Sequence, residues 1–236
     1  MTTTPFLIEA KLDSPLIITD DAYLTLDSLL SASLQMIGGP KQDLPLDQTA
    51  GIYHASAAIL VGDSPITGQA PFVSRITNRD CEIPNLHPWT NGKVKKPKKT
   101  LHLKSFPNAA RIDKYPLYQY PKVIWFGKGD LDQTRHLLSC LPGVGKRCNS
   151  GFGQVAEFNA TQITTDFSLK LPDSSPARPI PVSLINLFEI DQAECLIDKA
   201  TFKPNYFDYA SADMCVIPTT RSILCKKLSM VRDIAA

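Results

Sequence analysis

Four glycines, Gly143, Gly145, Gly151 and Gly153, fall within eleven positions of the segment LPGVGKRCNSGFGQV, with Lys146, Arg147, Asn149 and Ser150 between them. Glycine adopts φ > 0 and lets one backbone come close to another, so such a loop can grip phosphates while its two cations add charge. The Walker A pattern is not met, because Lys146 is followed by Arg147 and position 140 is Cys instead of Gly. The dinucleotide fingerprint fails too: position 148 is Cys, and the loop leads into a strand. NTPase and dehydrogenase chemistry are therefore disfavoured. The bland alternative is an ordinary turn between a helix and a strand.

A second feature is electrostatic. Residues 91 to 128 hold ten Lys or Arg against one acid, Asp113, a local charge of +9. The chain has 25 basic and 23 acidic residues in all, which leaves 15 and 22 elsewhere, or −7. A one-signed block of this kind is the footprint of a polyanion site, since each phosphate neutralised releases counterions. Its densest part, KVKKPKK, contains Lys93, Lys95, Lys96, Lys98 and Lys99, and His102, Lys104, Phe106, Arg111 and Tyr118 follow. A solvated loop is the plain alternative for a charge run. Phe106, Tyr115, Tyr118, Tyr120 and Trp125 interleave with the cations, and exposed rings among them could stack on unpaired bases. Tyr118 and Phe106 are the two picked for that role.

Catalysis would have to come from the four histidines. His102 and Lys104 share one face if their segment is a strand, which makes them a base and cation pair suited to metal-free RNA cleavage. His54, in an apolar strand, and His136, in a helical stripe, read as structural. The six cysteines show no CxxC pair and no close Cys/His spacing, so neither zinc nor a disulfide framework is expected. Reduced thiols, an N-terminus without a signal-peptide pattern and the lack of any long apolar run lead to the expectation of a cytoplasmic protein without membrane segments.

The elements that must position these residues follow from periodicity. Residues 5–12 alternate, with Phe6, Ile8, Ala10 and Leu12 on one face, and predict a strand with one side buried. Leu26, Leu29, Leu30, Ser33, Leu34 and Ile37 recur at helical spacing until Gly38, Gly39 and Pro40 stop them. Residues 52–61 and 122–126 read as strands. Asp130 stands where an N-cap would, before a helix carrying Leu131, Leu137, Leu138 and Leu141, and residues 154–163 complete the set. Between 71 and 121 no period holds, which marks a long basic insertion. The expectation is an α+β chain with a ferredoxin-like (RRM-like) βαββαβ core over 1–163 and that insertion, followed by a β-rich extension over 164–236 in which FSLKL, CLIDKATF and DMCVIPT are strand-like.

With a glycine-rich loop between its second helix and fourth strand, the chain resembles the RAMP superfamily of CRISPR-associated proteins. IEAKLDSPLIITDDAYLTLDSLLSASL, HASAAIL, HLKSFPNA, VIWFGKGD and GKRCNSGFGQV together look like the Cas-five-like subunit of type IV CRISPR effectors. The resemblance implies a cofactor-free subunit that caps the 5′ handle of CRISPR RNA and lies near the opening of target DNA. Its partners would be a Cas-seven-like backbone subunit and a large, Cas-eight-like subunit, with a Cas-six-like endonuclease and a DinG-type helicase reached through the complex. Gly143, Gly145, Lys146, Arg147, Asn149, Ser150, Gly151 and Gly153 become the handle-binding loop, and residues 91–106 the thumb. Some relatives cleave precursor RNA without metal, so an endoribonuclease centred on His102 is the alternative. A general RNA- or DNA-binding protein is a third reading, and KVIWFGKG lacks the aromatic signature it would need.

Overall fold

The computed structural model describes residues 3–19, 23–39, 43–74, 89–90, 93–94, 111–191, 195–204, 206 and 208–229. The architecture is mixed α+β, mostly sheet with few helices. In chain order the strands are β1 (Thr4–Leu12), β2 (Leu16–Ile17), β3 (Gln48–Thr49), β4 (Ile52–Tyr53), β5 (Ile59–Val61), β6 (Ile66–Ser74), β7 (Trp89–Thr90), β8 (Lys93–Val94), β9 (Arg111–Gln119), β10 (Lys122–Gly129), β11 (Val155–Gln162), β12 (Ile180–Pro181), β13 (Leu196–Ala200), β14 (Asp213–Ile217) and β15 (Ser222–Ile223). Helix α1 (Leu26–Met36) follows β2, and α2 (Leu131–Ser139) follows β10. Residues 1–68 with 117–236 form one compact unit and residues 69–116 a second. No described helix is long and apolar enough to cross a membrane.

The larger unit is organised on a sheet in the order β11-β1-β10-β5-β15. β1 pairs antiparallel with both β10 and β11, β10 pairs antiparallel with β5, and β15 joins β5 in parallel. Phe6, Ile8, Ala10, Leu60, Val123 and Trp125 point to one face, where Leu26, Leu29 and Leu30 of α1 and Leu137 and Leu138 of α2 cover them. The two helices are tied by Ser33 Oγ, which donates to Leu137 O at 2.5 Å. Leu7, Ile59, Val61, Ile124 and Phe126 point to the other face and pack beneath Ile163, Phe167, Leu171, Ala177 and Leu228.

That second cover corrects the expectation that β1 is buried on one side only. Both faces are covered, so the apolar runs FLI and VIWF are near-continuous, as strands buried on both sides must be. Helix α1 stops where the glycines stand: Gly38 takes φ +79° and Gly39 N returns to Leu34 O at 2.8 Å. Ile37, expected in the buried stripe, is the C-cap residue and 52% exposed. Asp130 does cap α2, its side chain accepting from Gln133 N at 2.9 Å.

Residues 52–61 are not one strand. Between β4 and β5 the backbone divides its hydrogen bonds: Ser56 N donates to Phe126 O, Ser56 O accepts from Leu26 N, and Ala57 N donates to Ala177 O. Three different partners in two residues leave no ladder to continue. FSLKL is not a strand either. Phe167, Leu169 and Leu171 are buried, but into two separate clusters, and the segment pairs only through the isolated bridge Lys170 to Pro176. CLIDKATF and DMCVIPT supply β13 and β14, which with β12 make a three-stranded sheet that packs through Ile180 and Val216 on Ile185 and Ile190.

Candidate functional site

Helix α2 runs out at Cys140 and Leu141, and Pro142 prevents another turn. The chain then folds back on itself, with Val144 N donating to Gly153 O at 2.8 Å. The base of the resulting loop is stitched to residues 13–17, from the end of β1 through β2: Lys146 N donates to Ile17 O at 2.9 Å, Gly153 N to Pro15 O at 2.9 Å, Asp13 N to Gln154 O at 2.9 Å and Gln154 N to Ser14 Oγ at 2.9 Å. Three glycines serve this approach. A Cβ at Gly143 would stand 2.7 Å from Gly153 O and one at Gly145 2.7 Å from Ile17 O, while one at Gly153 would run into the Val144 carbonyl. The close backbone partner of this loop is therefore the protein's own chain. The amides of Val144, Lys146 and Gly153 are taken, so an anion here would be met by the tip.

The tip is a short 3-10 turn at Cys148–Ser150, flanked by two left-handed residues, Arg147 at φ +65° and Gly151 at φ +87°. Ser150 N and Gly151 N donate back to Arg147 O and Cys148 O at 2.8 and 3.1 Å. Lys146, Asn149, Ser150 and Gly151 are exposed there, while Arg147 is half-buried. Cys148 Sγ donates to Gly145 O at 3.2 Å, and burial raises its thiol pKa above the ordinary value. What the tip offers chemically is a cation, an amide and a hydroxyl on a rigid turn, enough to hold a phosphate or sugar and short of any nucleophile with a base beside it.

The other residues that the sequence singles out divide. Lys95, Lys96, Lys98, Lys99, His102, Lys104 and Phe106 lie outside the described residues, and of Lys93 only its place on β8 is described. Arg111, exposed on β9, bonds Asp113 Oδ2 through Nε at 3.1 Å. Tyr118, half-buried, sits opposite Leu16 in the β2–β9 pair. Tyr115 meets Phe72 edge to face at 5.6 Å. Tyr120 is 9% exposed, and Trp125 is wholly buried with Nε1 donating to Leu24 O at 2.9 Å, so Trp125 cannot stack on a base. His136 is exposed on α2 and not a structural histidine.

Two polar networks had no signal in the sequence because each hinges on partners more than 100 positions apart, Asp27 with Arg178 and His54 with Asp166. Arg178 is fully buried and donates to Tyr53 O at 2.6 Å, Ala55 O at 3.2 Å, Phe202 O at 2.6 Å and Asp27 Oδ2 at 3.1 Å. Tyr206 completes it, donating its own hydroxyl to Asp27. Burial alone would lower the Arg178 pKa, but Asp27 and Tyr206 outweigh it and the guanidinium stays charged. In the second network His54 Nδ1 stands 2.9 Å from Asp166 Oδ2 and Nε2 2.8 Å from Thr49 Oγ1, while Ser168 Oγ donates to Asp166 Oδ1 at 2.5 Å. Burial works against ionisation of Asp166, and the bonds from His54 and Ser168 overcome it, holding its pKa below the usual carboxylate value. Both networks join the segment around β4 to residues after 163. Among the described residues no group of three or more His, Cys, Asp or Glu is arranged to hold a metal ion.

Comparison with protein-family models and with curated proteins finds no family and no relative that matches this chain.

Proposed function

We propose that the chain is a non-catalytic, RNA-binding subunit of a type IV CRISPR effector, of the Cas-five-like group of the RAMP superfamily, and that it caps the 5′ handle of the CRISPR RNA. The reading begins with a ferredoxin-like assignment for the core. β1, β5, β10 and β11, with α1 between the first two and α2 between the last two, run βαββαβ, and the strands stand fourth, first, third, second with every neighbouring pair antiparallel. On this assignment β6 to β9 are an insertion and β15 an added edge.

One observation carries the function: the glycine loop stands between the second helix and the last core strand, tied at its base and exposing Lys146, Asn149 and Ser150 at its tip. A turn so fixed can hold a ribose-phosphate chain in register without reading its sequence. The +9 block of residues 91–128 supplies the long-range attraction that a strand of phosphates needs.

The test is co-expression with CRISPR RNA and with Cas-seven-like and Cas-eight-like subunits, followed by purification on this chain. Expected is a complex whose RNA has one defined 5′ end, lost in a Lys146→Glu, Arg147→Glu double variant that keeps its circular dichroism spectrum. Recovery of a nucleic-acid-free monomer overturns the reading. Cleavage of precursor RNA by the pure protein in EDTA, abolished by His102→Ala, would replace it with the endoribonuclease.

A further inference from the structure

The larger unit has a further concave feature, lined in part by Ile18, the residue after the Ile17 carbonyl that anchors Lys146 of the glycine loop. Tyr23 and Leu24 form one wall of a cleft of about 110 Å3, Tyr118 and Tyr120 another, and Thr220, Arg221 and Ser222 a third, over a floor that includes Ala57, Ala58 and Leu60. We infer that this cleft receives one unstacked, single-ring base of the bound nucleic acid. The inference deepens the handle-binding function proposed above and rests on it for the source of the base.

The walls are held in place before any ligand arrives. Leu24 O accepts from Trp125 Nε1 at 2.9 Å and from Ala58 N at 3.1 Å, which fixes the first wall to the sheet. Leu60 N donates to Arg221 O at 2.9 Å and Gly62 N to Ile223 O at 3.1 Å, which fixes the third. The second is fixed by pairing of Tyr118 with Leu16 and by Gly62, where a Cβ would stand 3.2 Å from the Tyr120 ring and 2.9 Å from Pro121 Cδ. A preformed slot spares a ligand the ordering cost that weakens most contacts.

The chemistry of the walls selects the occupant. Two half-buried phenol rings, Tyr23 and Tyr118, and a guanidinium lying 5.3 Å from the Tyr23 ring centroid are groups on which unpaired bases stack, while the buried Tyr120 only borders the cleft. The cation is already engaged with Tyr23, and the lining is otherwise mostly apolar, which suits an uncharged ring better than a phosphate. An apolar cavity of about 150 Å3 holds benzene. A smaller cleft open on one side seats one ring with its polar edge outward, near Thr220 and Ser222, which favours a pyrimidine over the two fused rings of a purine. The alanine floor is what leaves the space, so Ala58, half-buried, is the place to close it.

The test separates the cleft from the strand. Saturation-transfer NMR with free uridine and adenosine probes the cleft alone, and fluorescence anisotropy of octauridine and of an abasic octamer probes the strand, for wild type, Ala58→Leu and Tyr118→Ala. Expected is transfer to uridine that exceeds that to adenosine and vanishes in Ala58→Leu. Octauridine affinity should fall about 5- to 150-fold in either variant, the range for losing one stacked base, with the abasic octamer unaffected. Unaltered melting temperature in either variant shows that the fold is intact. Uridine binding without strand binding keeps the cleft and removes the handle-binding function. Equal affinity of the two octamers, unchanged by either variant and with no uridine transfer, overturns the cleft, leaves strand binding standing and points to a partner protein's side chain as its occupant. Equal transfer to adenosine overturns the single-ring selection.

Discussion

Arg178 and Asp27 are both fully buried, and their pair is the clearest case in which a single residue holds distant parts of the larger unit together. A buried ion pair contributes little net stability against an apolar replacement of both members, but removing one member strands the other charge. Asp27 Oδ1 and Arg178 Nε already have no hydrogen-bond partner among the described residues, so the site has no reserve of donors to satisfy a lone carboxylate. Arg178→Met should therefore destabilise the protein by about 3–5 kcal/mol, read as a lower urea midpoint, and Asp27→Leu combined with Arg178→Met should recover much of the loss. Asp166 makes a prediction about pH. Its folded pKa lies below its unfolded value, so its contribution is present above the ordinary carboxylate pKa of about 3.9 and is lost as pH falls through the depressed one. Unfolding free energy measured from pH 5 downward should fall less steeply in Asp166→Asn than in wild type.

At the scale of elements, the glycine loop shows how one composition serves two purposes. Its base needs absent side chains because the loop's own backbone, at Val144 and Gly153, and the Ile17 carbonyl are already there, whereas its tip needs a left-handed turn in open space. The consequences of substitution differ accordingly. Gly151→Ala keeps φ +87° at a strain of about 1–2 kcal/mol and meets no atom within 4 Å. Gly153→Ala adds to a comparable φ strain a collision with the Val144 carbonyl, which opens the neck of the loop where Val144 N donates to Gly153 O. Thermal melts should show a small loss for the first and a loss several-fold larger for the second, with RNA capture failing only where the base of the loop opens.

At the scale of the whole molecule, charge is divided along the chain, with +9 in residues 91–128 and −7 elsewhere. Lysines in such a block attract phosphate without reading sequence. Replacing Lys95, Lys96, Lys98 and Lys99 with alanine should weaken single-stranded RNA binding and flatten the plot of log affinity against log salt by about 0.7 for each phosphate no longer neutralised. Affinity measured across a salt titration from low to physiological ionic strength yields the slope, and an unchanged slope would take these four residues out of the interface.

What could be read from the sequence was whatever depends on neighbours a few positions away. The apolar stripe of α1, its glycine stop, the Asp130 cap and the strand character of β1 are all decided within about four residues, the reach of a helical turn or a strand pleat. Glycine and lysine composition likewise marked the loop and the basic block. The tertiary structure alone decided the rest. It buried the second face of β1 under residues 163–177, joined Asp27 to Arg178 across 151 positions, turned three loop glycines toward the chain's own backbone, and brought Tyr23, Tyr118, Tyr120 and Arg221 to one cleft. The reason is physical: a buried polar group or a close backbone approach is satisfied by whichever partner the packed chain delivers, and no local pattern encodes which one that will be.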